Sequence, residues 1–294
     1  MKTSTPIIII CFLLFSDALF AQGGKANRKK DQDTNEVTNK IPYVDVLYGE
    51  SQIQRNGMSG EISNVIIYGI SLGLKKEKKH KKSNDIVVQD KNGLTFSLGR
   101  APEIGQSDST YWNIPVGSSN TLEFWSLGTV NGTGYGYTFG DNVLMLNVED
   151  NATWNSIDPR SFARSQTPAD WQYMRDMDGT MRLGSSMTSS IECRISNTLT
   201  LNGGYTWNQV LPRHMFWYWL GSEVIEGLAG SAIDNVITNF GNISPKSLPV
   251  MHFILKSALL YGMKELRRTH MNWPFETPTP MNITFWNIGV GLTL

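Results

Sequence analysis

The 294 residues carry 26 Lys and Arg against 26 Asp and Glu. That balance leaves no global field to draw nucleic acid or an acidic partner. Cys193 is the only cysteine outside the N-terminal apolar run, which excludes an internal disulfide and a cysteine-built zinc site in the rest of the chain.

Lys2 precedes the apolar run "PIIIICFLLF", and "ALFAQ" places the small residue Ala21 at a cleavage point. Residues 1–21 therefore read as a secretory signal peptide. The run stops at Ser16-Asp17, short of the roughly 18 apolar residues of a membrane anchor. Cys11 follows bulky Ile10, which argues against lipidation. Residues 22–40, polar and without aromatics, read as a flexible leader.

From Ile41 the texture changes to short alternating runs, the first over 42–54. In "EISNVIIYGISLGL", Ile66, Tyr68, Ile70, Leu72 and Leu74 point one way, and Ser63, Gly69, Ser71 and Gly73 the other. The basic run Lys75 to Lys82 reads as a solvated turn, with anionic headgroup contact as its functional reading. "GLTFSLGR" sets Leu94, Phe96 and Leu98 against Gly93, Thr95, Ser97 and Gly99. Residues 121–130 and 135–148 alternate less cleanly.

Gly179 to Trp207 alternates best. Met181, Leu183, Met187, Ile191, Cys193 and Ile195 oppose Arg182, Ser186, Thr188, Ser190, Glu192 and Arg194. After the Ser196-Asn197 break, Leu199, Leu201, Tyr205 and Trp207 oppose Thr198, Thr200, Asn202 and Thr206. Two helices follow within 216–268. Ile225, Leu228, Ala229, Ala232, Ile233, Val236, Ile237 and Phe240 hold the three-four spacing of one. Ser244 and Pro245 open the second, with the break expected at Gly241-Asn242. The last strand, "MNITFWNIGVGLTL", sets Trp286, Ile288, Val290, Leu292 and Leu294 against Asn287, Gly289, Gly291 and Thr293. No segment after the first is a long uninterrupted apolar helix, which excludes a bundle of spanning helices.

The small and polar face suits the interior of a small barrel, and the bulky face suits lipid, with Tyr205, Trp207 and Trp286 placed for interfacial girdles. A closed barrel leaves no unpaired edge in lipid. The expected fold is an all-β membrane barrel of about eight antiparallel strands over 41–294, with a helical hairpin inserted within 212–280 before the last strand. At these residues the chain resembles the integral outer-membrane β-barrel proteins of Gram-negative bacteria, through its signal peptide, its alternating runs and the apolar ending "NIGVGLTL". It departs from them in ending on Leu294 rather than an aromatic residue. The resemblance implies an outer-membrane location, contact with outer-membrane lipids, the barrel assembly machinery as partner during insertion, and no cofactor.

The connections at 101–120, 149–179 and 212–280 are expected on the outer side and the "ISNT" turn on the periplasmic side, with the hairpin as a cap over one barrel mouth. No catalytic or metal-ligating set emerges from His80, His214, His252 and His270. "LPRHMFWYW" is the candidate site: Arg213, His214, Trp217 and Trp219 are expected to meet lipid headgroups or a partner, as an interfacial aromatic belt with a flanking cation. The expected role is structural, adhesive or in assembly, or a small or gated pore. An exported soluble β-sandwich binding carbohydrate and an outer-membrane lipid-modifying hydrolase are the alternatives.

Overall fold

A computed structural model describes residues 40–81, 83–100, 110–111, 114–117, 120–196 and 198–294. The signal peptide, residues 22–39 of the leader and most of the 101–120 connection lie outside the described residues. Eight long strands close on themselves: β1 (Lys40–Gln54), β2 (Val65–His80), β3 (Ser83–Arg100), β6 (Thr121–Phe139), β7 (Asn142–Ala163), β8 (Met181–Arg194), β9 (Leu199–Val210) and β10 (Met281–Thr293). Every neighbouring pair is antiparallel, and β1 with β10 completes the ring. Two short strands, β4 (Thr110–Tyr111) and β5 (Ile114–Gly117), extend the sheet beside the end of β7. The closed ring excludes the two-sheet sandwich.

The period-two pattern becomes the two faces of the wall. Asp45, Ser71, Lys91, Ser126, Asn147 and Glu149 are buried inside, while Val46, Ile70, Leu72, Leu94, Phe96, Ile288 and Val290 are exposed outside. Each such side chain left in water forgoes roughly 1.5–3 kcal/mol of burial, so the outer face calls for an apolar surrounding. The predicted strands form with shifted bounds, and the predicted 135–148 run is divided between the end of β6 and the start of β7. The residues 121–148 region turns once, at Gly140, where φ is +63°. The basic run is no turn: β2 continues to His80, and Lys75 points inward.

The ends of the barrel differ. Tight turns join β2 to β3, β6 to β7 and β8 to β9 at the end that also holds Lys40 and Leu294. The longer connections gather at the opposite, loop-side end. There an apolar plug fills the lumen: Ile53, Val65, Ile67, Leu122, Ile157, Val210, Met281 and Ile283 pack with Met174 and Met177 of α1 (Pro168–Met177).

Thr167 caps α1 and Asp170 answers it in a capping box. Asp170 Oδ2 also accepts from Ser59 Oγ at 2.6 Å, tying the β1–β2 connection to the plug. Desolvation opposes its charge, but hydrogen bonds from Ser59 and Thr167 outweigh that and hold the carboxyl below its ordinary value. The stability this lends is present above the unfolded value and lost as pH falls through the folded one. Asp170→Asn is expected to cost about 1 kcal/mol at neutral pH and much less under acid, read by the proteolysis rate of the 55–64 connection.

The helical hairpin corrects the expectation of a cap over a mouth. Its helices, α2 (Phe216–Ile243) and α3 (Leu248–Leu266), are joined by a 3₁₀ turn at Pro245–Ser247; α3 lies against the outside of the wall and α2 packs on α3. Leu260 packs with Val148, Met187 and Trp207 on the outward faces of β7, β8 and β9. The mouth that the hairpin was expected to cover is filled by α1 instead. The expected break at Gly241-Asn242 falls slightly later, since α2 continues to Ile243.

Candidate functional site

An eight-strand barrel has an interior just wide enough for side chains to fill. Below the apolar plug lies a cavity of about 90 Å³ lined mostly by polar residues, room for several waters. Ser71, Thr95, Ser126, Thr188 and Thr206 are among its lining. Below it, charged side chains cross the lumen. Lys91 Nζ reaches Asp45 at 2.7 Å and Glu149 at 3.4 Å, and Lys75 Nζ reaches Glu192 at 2.6 Å. Asn147 Nδ2 donates to Glu192 at 3.1 Å, and Tyr43 lies between the ammonium groups, 5.1 Å from Lys75 and 4.7 Å from Lys91. Nearer the turns, Arg194 pairs with Glu77, which also accepts from Gln89 at 2.8 Å. Apolar side chains thus fill the loop-side end of the lumen and paired charges the turn-side end.

The second locus is the seam between hairpin and wall. α3 runs from the turn-side end, where Tyr137 Oη donates to Lys246 O at 2.7 Å, to the loop-side end, where Lys264 Nζ donates to Ser185 Oγ at 2.5 Å. Between them His252 lies on Tyr135 with ring centroids 4.6 Å apart, and Ser257 shares a 2.7 Å hydrogen bond with Ser189. Gln209 Nε2 donates to Lys264 O at 2.8 Å and to Asn282 Oδ1 at 2.9 Å. Asp150, facing outward, lies among Glu226, Lys264 and Arg267. Arg267 joins the helices through Glu226 at 2.7 Å and Glu223 at 3.3 Å. On the wall of this seam Asp150, Ser185, Ser189 and Gln209 are polar in a register that elsewhere carries mainly apolar side chains, beside the apolar patch around Val148, Met187 and Trp207.

The predicted cluster sits where α2 begins, at the loop-side end. Arg213, His214 and Trp217 are exposed, Trp217 by 78%, and Trp219 is half-buried. The Phe216 ring lies 5.2 Å from Trp217 and 6.0 Å from Trp219, so the aromatics form one group with the cation beside it. Partial desolvation and then the Arg182 guanidinium hold His214 below its ordinary value. Trp207, expected in a girdle, is instead buried beneath α3, edge-on to Tyr261 at 5.2 Å. The luminal charges carry a signal in the sequence: Glu192, Lys75 and Lys91 stand in the small, polar register of alternating strands. The seam carries the converse signal, Asp150, Ser185, Ser189 and Gln209 in the apolar register.

No protein-family model matches the chain, and no curated protein resembles it. Among solved structures it is similar to Neisserial surface protein A, at 9% identity and a TM-score of 0.38, over 86% of this chain and 97% of that one. It is also similar to Ail, the attachment invasion locus protein of Yersinia pestis, at 7% identity and 0.32, over 87% and 99%. A third is the outer membrane protein OprG from Pseudomonas aeruginosa, at 7% identity and 0.26, over 87% and 97%.

Proposed function

We propose that the protein is an integral outer-membrane barrel with a closed lumen, acting through its outer surface in a structural, adhesive or assembly role. The N-terminal signal and the exposed apolar outer face support the location. The observation that carries the role is the filling of the lumen, by the plug around Met174 and Met177 at one end and by the ion pairs of Lys75, Lys91 and Arg194 toward the other. The exposure of Arg213, His214 and Trp217 beside Trp219 at the loop-side head of α2 supports contact with lipid headgroups or a partner there.

Purified protein in planar bilayers is expected to give no discrete conductance steps across ordinary voltages. Reproducible single-channel openings that disappear on removal of α1 would instead make it a gated pore with α1 as its plug.

A further inference from the structure

We infer that the helical hairpin crosses the lipid layer alongside the barrel, presenting acyl chains with the outward faces of α2 and α3. This rests on the outer-membrane reading above. The outward residues Ile288 of β10, Val46 of β1, Ile70 of β2 and Leu94 of β3 are all exposed and apolar. On β7 and β8 the outward register is broken beside Met187 by Asp150 and Ser189, which lipid could not satisfy. α3 covers that polar sector and supplies its hydrogen-bonding partners, Ser257 for Ser189 and Lys264 for Ser185. Its own outward stripe, Val250, Ile254, Ala258 and Tyr261, is exposed and uncharged, so the apolar belt continues across the gap.

Length agrees. The 19 residues of α3 span about 28 Å, close to the roughly 30 Å hydrocarbon thickness. Aromatics mark both ends of the hairpin, Phe216 to Trp219 at the loop side and Tyr137 beside Lys246 at the turn side. Among the described residues no helix is long and apolar enough to cross a membrane by itself. Several polar groups of this pair have partners within the protein: Lys256 pairs with Asp234 at 2.7 Å, with the Asp234 side chain still 58% exposed, and the Ser231 and Thr238 hydroxyls donate to carbonyls one turn back. Asn235 and Asn239 of α2 stay exposed and are the positions where water would first betray a different placement.

The test is spin labelling of the full-length protein in bilayers, with Cys11→Ser and Cys193→Ser together as background and single cysteines at Ile254, Leu228 and Asn235. Val290→Cys on the barrel belt is the reference, and an unboiled gel shift verifies that each variant is folded. Collisions with oxygen should exceed those with a water-soluble nickel chelate at Ile254 and Leu228, as at Val290, and Asn235 should resemble them. Dominance of the chelate at the helix sites while Val290 stays in lipid would overturn the inference and leave the barrel reading intact. Low exposure to both agents, as a second copy seated on the hairpin would give, would also overturn it. Dominance of the chelate at Val290 itself would overturn both.

Discussion

Lys75→Met is expected to lower the unfolding free energy by about 3–5 kcal/mol, because it leaves the Glu192 carboxylate buried without its partner. Both side chains are almost fully enclosed, 2% and 3% exposed, so solvent screening offers little relief. Asn147 Nδ2 would remain as a donor to Glu192, but an amide does not neutralise a charge. The double variant Lys75→Met, Glu192→Gln should recover most of the loss, since it removes the orphaned charge as well. Urea titration of the protein refolded into vesicles, followed by tryptophan fluorescence, reads both. A single variant as stable as the parent would mean that the turn-side lumen is wet enough to solvate an unpaired carboxylate.

Val290→Arg carries the second large effect. Val290 lies on β10, paired with Val46 of β1 and Leu201 of β9, and all three are exposed on the outer face. A guanidinium placed there in mid-bilayer is expected to cost about 2–4 kcal/mol. Thr188→Ser, on the inner face, keeps the 3.0 Å hydroxyl contact with Thr206 and should cost far less. The same vesicle titration compares the two. Equal costs, or a harmless arginine, would mean that the apolar face does not meet hydrocarbon.

The barrel was legible in the sequence because a strand exposed to different surroundings on its two faces must alternate, and Ile66–Leu74 of β2 and the turn-side parts of β8, β9 and β10 do so. Strand bounds were harder to read where the inward residue is glycine. In "YGYTFGDN" the alternation fades, yet β6 runs through it, because Gly134 and Gly136 leave room for the side chains of Asn147 and Met145 on the neighbouring strand β7. The basic run at Lys75 looked like a turn because charge in one window says nothing about a carboxylate 117 residues away. The Arg213 to Trp219 cluster was visible as a motif, and its place at the head of α2 follows from the helical spacing after it. The placement of the hairpin was not legible from its own stripe, which required burial without saying against what. The missing information lies on the wall, where Asp150, Ser185 and Ser189 interrupt the apolar register and need a partner.

The most direct test of the central claim, that lipid covers the outer face of a closed barrel, is fractionation of the host cells followed by electrophoresis with and without boiling. The protein should sediment with the outer membrane, resist extraction by osmotic shock, and migrate differently unboiled than boiled as the closed ring survives the detergent. Release into the osmotic-shock fluid with a single mobility under both conditions would contradict it.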